Sequence, residues 1–119
     1  MRGASVDSHE SPIATFLPDL AGTARFAADR MQKLDCVATG RLLLGLNCFE
    51  PGQAQTIHAH AGADKFYFVL SGRAKLLVGS EARECEAGDL VFAPAGVEHG
   101  VETAYERTVM LVGITGKDR

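Results

Sequence analysis

The sequence predicts an all-β fold, a sandwich or barrel of short strands. Three observations carry this. Apolar, β-rich runs recur roughly every eight to twelve residues. Gly or Pro stands between them, as in Pro51-Gly52, Gly79-Ser80 and Pro94-Ala95-Gly96. Within the runs apolar residues alternate with period two, as in Leu42, Leu44, Leu46 and Cys48. That spacing fits a two-sheet or closed β architecture rather than βαβ units.

Taken in order, residues 1–21 form an N-terminal arm rich in Ser, Asp, His and Pro, where Pro12 and Pro18 prevent a continuous helix. The stretch 24–32 fits a strand or a short helix equally well. Residues 41–49 read as a strand, with Leu43 and Phe49 adding apolar character to its second face, as in a strand covered on both sides. After the Pro51-Gly52 turn, Thr56 to His60 alternates as a short strand. Lys65 to Leu70 is the next, placing Lys65, Tyr67 and Val69 on one face and Phe66, Phe68 and Leu70 on the other. Ala74–Val78 and Ala82–Glu86 flank Gly79-Ser80, a pair suited to a two-residue hairpin loop. Strands are further predicted at Leu90–Ala93, Glu98–Glu102 and Arg107–Ile114, before a short charged tail.

Bulk properties limit the functional classes. The 119 residues suit a single domain, with 46% hydrophobic and 23% charged residues. A net charge of -3 supplies no basic footprint, and the chain has no Trp and only two Tyr, so nucleic acid is not expected as a partner. No stretch approaches the roughly 18 apolar residues of a spanning helix, so no membrane association is expected. Met1 to Glu10 is polar with both charge signs and does not read as a signal peptide. Cys36, Cys48 and Cys85 are odd in number and widely spaced, which reads as reduced thiols of a cytoplasmic protein. A metal or redox role for Cys36 or Cys48 is the other reading.

Three of the four histidines lie in the β region. His58 and His60 are two apart on a predicted strand, so both imidazoles point to one face. His99 follows the Pro94-Ala95-Gly96 turn and would add a third nitrogen if its strand neighbours theirs. Neutral imidazole is a common transition-metal ligand. Alone, the pair also fits ordinary polar residues of a surface or core.

The flanking spacing is more specific. Gly52, five residues, His58-Ala59-His60, four residues, position 65, six residues and Gly72 resembles the first motif of the cupin superfamily, apart from position 65. Gly88, five residues, Pro94-Ala95-Gly96, two residues and His99 resembles the second. The resemblance, to small single-domain conserved-barrel (cupin type-2) proteins, implies a double-stranded β-helix (jelly-roll) barrel over residues 22–119. It also implies a homodimer, and a divalent transition metal (Fe, Mn, Ni or Zn) on His58, His60 and His99.

Two positions depart from the pattern. Cupins usually carry Glu, a fourth protein ligand, where this chain has Lys65, and an ammonium cannot coordinate. Four outcomes stay open: a three-histidine site with open positions, Asp64 taking over as ligand, loss of the metal, and Schiff-base chemistry on Lys65. Thr103 replaces an Asn that is not a ligand. Lys65, Tyr67 and Gln55 are the candidate pocket residues, with Gln53 near the mouth and Asn47 as an inward hydrogen-bonding residue. Glu98 and Glu102 read as a solvated rim or as salt-bridge partners of Lys65.

Three functions fit. One is a metalloenzyme of oxygenase, lyase or isomerase type acting on a small polar molecule. The second is a non-catalytic small-molecule binding or sensing module, with or without metal. The third is a metal-free isomerase with a histidine base and Tyr67 as acid.

Overall fold

A computed structural model describes residues 14–116. Nine strands follow one 3-10 turn, Leu20–Thr23. They are β1 (Gln32–Ala38), β2 (Leu42–Phe49), β3 (Gln55–His58), β4 (Lys65–Ser71), β5 (Arg73–Val78), β6 (Glu81–Glu86), β7 (Leu90–Ala93), β8 (His99–Ala104) and β9 (Thr108–Thr115). A five-stranded sheet runs β1-β2-β9-β4-β7 and a four-stranded sheet β3-β8-β5-β6, every pair antiparallel. This is the expected jelly-roll, a double-stranded β-helix. No helix among the described residues is long and apolar enough to cross a membrane.

The core lies between the sheets. Phe49, Tyr67, Val69, Leu76, Val101 and Met110 bury their side chains there. Each aliphatic or Phe side chain of this size contributes roughly 1.5–3 kcal/mol when removed from water. Neighbouring residues of β2 and β9 face the other way. Leu46, Cys48 and Val109 form a second cluster on the outside of the larger sheet, covered by Leu20, Ala24 and Phe26. Two buried faces explain why 41–49 reads as nearly continuous apolar sequence.

The segment 24–32 is neither the strand nor the helix that its period allows. It runs as bends until β1 begins at Gln32. Phe26 anchors it beneath the Arg107 guanidinium, 4.2 Å from the ring centroid, and Ala27 accepts a 2.7 Å hydrogen bond from the Gln53 amide. Gln53 therefore secures this segment and, through its Oε1, the Glu50 N–H, instead of reaching the pocket. His9 and Pro12 lie outside the described residues.

Two glycines decide how closely the strands approach. Gly72 has φ +88°, and a Cβ there would collide with the backbone of Arg107 and Thr108. Gly100, next to His99, lets β3 lie tight on β8: a Cβ would stand 2.6 Å from the end of Ile57 and 2.9 Å from the Gln55 carbonyl. That approach sets the distance between the two histidine-bearing segments.

Candidate metal centre

The β3–β8 register places His58 directly opposite His99, with ring centroids 4.5 Å apart. His60 lies just beyond the end of β3. Strand alternation therefore does not place its ring, contrary to expectation. Its position is fixed by the loop: the Gly96 N–H donates to the His60 carbonyl at 2.8 Å, tying the first histidine segment to the turn that leads into His99. The His60 ring stands 4.9 Å from His58 and 5.4 Å from His99, centroid to centroid. One ligand nitrogen from each of the three lies within 4.8 Å of the others.

The hydrogen bonds fix two tautomers. His58 Nδ1 meets the Thr56 carbonyl at 2.7 Å and His99 Nδ1 meets the Val97 carbonyl at 3.0 Å. A carbonyl oxygen only accepts, so both Nδ1 atoms carry the proton and both Nε2 atoms keep a free lone pair. Burial pushes His99 down to about 4 and lowers His58 as well, with the Lys65 cation acting in the same direction, so both are neutral at pH 7. The Nε2 atoms of His60 and His99 are buried without a hydrogen-bond partner. Orphaned buried nitrogens are costly unless something takes them up. Converging neutral imidazoles fit a borderline-soft divalent ion such as zinc, iron or nickel.

Lys65 opens β4 and is only 3% exposed. Its Nζ stands 4.6 Å from the Tyr67 ring centroid, and burial, aided by the nearby Lys33 cation, lowers its pKa to about 8. Tyr67 is fully buried and donates its hydroxyl to Gln55 Oε1 at 2.7 Å. Burial also raises the phenol's pKa, which keeps it neutral. A cavity of about 600 Å³ opens beside these groups. His58, His60, Lys65, Gln55 and Asn47 line it, Arg30, Lys33 and Asp35 stand exposed at its mouth, and Met31, Leu43, Val112 and Ile114 form an apolar wall. Tyr67 is not on that wall and reaches the cavity only through Gln55 and Lys65. Asn47 Nδ2 and Gln55 Nε2 are buried and unpartnered.

Some expected contacts are replaced by others. Glu102 pairs with Lys75 at 3.6 Å, not with Lys65, and Glu98 is exposed. Asp64 turns away from the histidines and accepts the Ala95 N–H at 2.9 Å. Cys36, Cys48 and Cys85 are free thiols apart from the histidine cluster, and burial raises the pKa of each. Arg30 and Lys33 were not legible as site residues, because the segment before β1 carries no decisive period.

Residues 45–115 match the family described as Cupin domain. An uncharacterised protein of Streptomyces coelicolor is 36% identical over 89 residues, covering 75% of this chain and 84% of the relative. A crystal structure from Thermus thermophilus is similar with a TM-score of 0.78 and 37% identity, over 83% of this chain and 95% of that one. A Thermotoga maritima protein described as a predicted oxalate decarboxylase is similar with a TM-score of 0.60 and 25% identity, over 64% of this chain and 67% of its own.

Proposed function

The chain belongs to the cupin family, and from that premise we propose that it is a metalloenzyme in which His58, His60 and His99 hold one divalent transition metal beside a cavity for a small polar molecule. The observation that carries this reading is the convergence of three imidazoles, with two Nε2 atoms buried and unpartnered. Bound there, such an ion would supply Lewis-acid chemistry or, if iron, oxygen activation. The chain's own groups do the rest. The Thr56 and Val97 carbonyls hold the His58 and His99 rings in the ligating tautomer. Lys65 offers a cation to an acidic group of the substrate, and the apolar wall excludes water from its carbon skeleton.

Elemental analysis tests this reading. Protein purified without chelator should carry close to one transition-metal equivalent per chain, and a His58→Ala, His60→Ala double variant almost none. Wild-type protein that stays empty after incubation with Zn²⁺, Ni²⁺, Mn²⁺ and Fe²⁺ would overturn it. A second reading, a binding or sensing module without turnover, is favoured by one specific observation. Tyr67 has committed its hydroxyl to Gln55, and no carboxylate base adjoins the histidines among the described residues.

The same reading takes residues 22–119 as the barrel domain and 1–21 as its arm, in a cytoplasmic homodimer. Three thiols without a disulfide support a reducing compartment. An apolar strip on the larger sheet supports the dimer: Phe66 pairs with Phe92 and Phe68 with Leu90, and Phe92 and Leu90 are 57% and 65% exposed.

A further inference from the structure

The donors and charges in the cavity do not balance. Three imidazoles bring no negative charge to a divalent ion, and Lys65 adds a buried ammonium with no carboxylate partner among the described residues. Asp35, the one acid on the cavity lining, is exposed at the mouth, where Arg30 and Lys33 outnumber it. Ion and ammonium together would place three positive charges in a largely enclosed space, which is unfavourable without a counter-charge. The unpartnered amides point to the same need. Asn47 Nδ2 and Gln55 Nε2 line this cavity as buried donors without acceptors.

We propose that the metal and a small organic carboxylate bind here as a cooperative pair, with Lys65, Asn47 and Gln55 holding the carboxylate that supplies the missing negative charge. The inference rests on the three-histidine metal site above and assigns its substrate class. A carboxylate supplies both what Lys65 lacks, an anionic partner, and what the two amides lack, an acceptor. The apolar side chains of Met31, Leu43, Val112 and Ile114 offer a surface to a carbon skeleton, which an inorganic oxyanion would leave unused. Coupling is reciprocal by linkage, so the anion tightens the metal as much as the metal tightens the anion.

The test is calorimetric titration of the metal-free chain with Zn²⁺, in inert buffer and in saturating malonate, corrected for zinc–malonate complexes in solution. Malonate should tighten zinc binding at least tenfold, and inorganic phosphate at equal concentration should do so at least threefold less. Lys65→Met should reduce the malonate enhancement to below threefold. Lys65→Glu should bind zinc tightly without malonate and lose the enhancement. Thermal melts confirm that the variants are folded.

Equal zinc affinity with and without malonate overturns the pairing and leaves the metal site standing. An undiminished enhancement in Lys65→Met overturns the role of Lys65, and phosphate matching malonate overturns the carboxylate assignment. Failure to bind zinc, with or without malonate, in a protein that also takes up no other transition metal, overturns the metal reading itself.

Discussion

The Lys65 ammonium rests 4.6 Å from the centre of the Tyr67 ring, inside the barrel, and the nearest charge acting on it is another cation, Lys33. The ring quadrupole offsets part of its desolvation, by roughly 0.5–2 kcal/mol. The rest persists as a cost of folding, accepted at the position where a charge can act on whatever enters the cavity.

That cost predicts a pH dependence. The groups around Lys65 are Lys33 on β1, Tyr67 on its own strand, and His58 and His99, which both feel its charge. The folded pKa of about 8 lies below the ordinary 10.5. Between these values the unfolded chain keeps a proton that the folded chain has released, so stability rises with pH across that window. Below about 8 both states are protonated and the full penalty remains. Removing the charge should therefore stabilise the metal-free protein at pH 7. The shift corresponds to about 3 kcal/mol at most, and loss of the cation–π contact brings the expected gain for Lys65→Met to about 1–3 kcal/mol. Urea unfolding of both proteins at pH 7 and pH 10, with chelator present, checks this. The gain should shrink at pH 10, and a variant less stable than wild type at pH 7 would contradict the account.

The apolar strip on the larger sheet leads to a second expectation. β7 is an edge strand, and Leu90 and Phe92 project from it beside Phe68 and Phe66 of β4. In a two-fold dimer the same strip meets itself, so one substitution acts twice. A Leu90→Ser, Phe92→Ser variant should elute as a monomer in size-exclusion chromatography with light scattering, where wild type elutes as a dimer. A monomeric wild type, or an unchanged variant, would remove this surface as the interface.

Much of this architecture was legible in the residues, and the gaps have physical causes. The turns at Pro51-Gly52, Gly79-Ser80 and Glu86–Asp89 declare themselves through local chemistry. The common face of Lys65, Tyr67 and Val69 follows from a period of two, and all three side chains are buried. Alternation fails around β3. Gln55 and His58 are three apart and should face opposite ways, but a register shift between them brings both to the cavity. Nothing local in the sequence marks that shift. The pairing of Glu102 with Lys75 depends on the β5–β8 register, which joins residues far apart in the chain. The start of β1 was hidden because 24–32 fits two periods at once.

Asp64 separates a loop-positioning role from a ligand role. Its carboxylate accepts the Ala95 N–H at 2.9 Å, while its carbonyl accepts the Thr115 N–H at the same distance. With the Gly96-to-His60 bond, this joins the loop after His60 to the turn before His99. Truncation to Ala removes one exposed hydrogen bond, which costs the fold about 0.5–1.5 kcal/mol. The larger effect falls on the ordering of His60 relative to His99, and zinc affinity should drop by roughly 3- to 10-fold, less than for a group bonded directly to a ligand ring. Asp64→Asn is the decisive companion. An amide oxygen can still accept the Ala95 N–H but is a poor substitute for a carboxylate on the metal. Zinc titration should therefore show near wild-type affinity for Asp64→Asn and a modest loss for Asp64→Ala. A loss of several orders of magnitude in both variants would instead make Asp64 the fourth ligand.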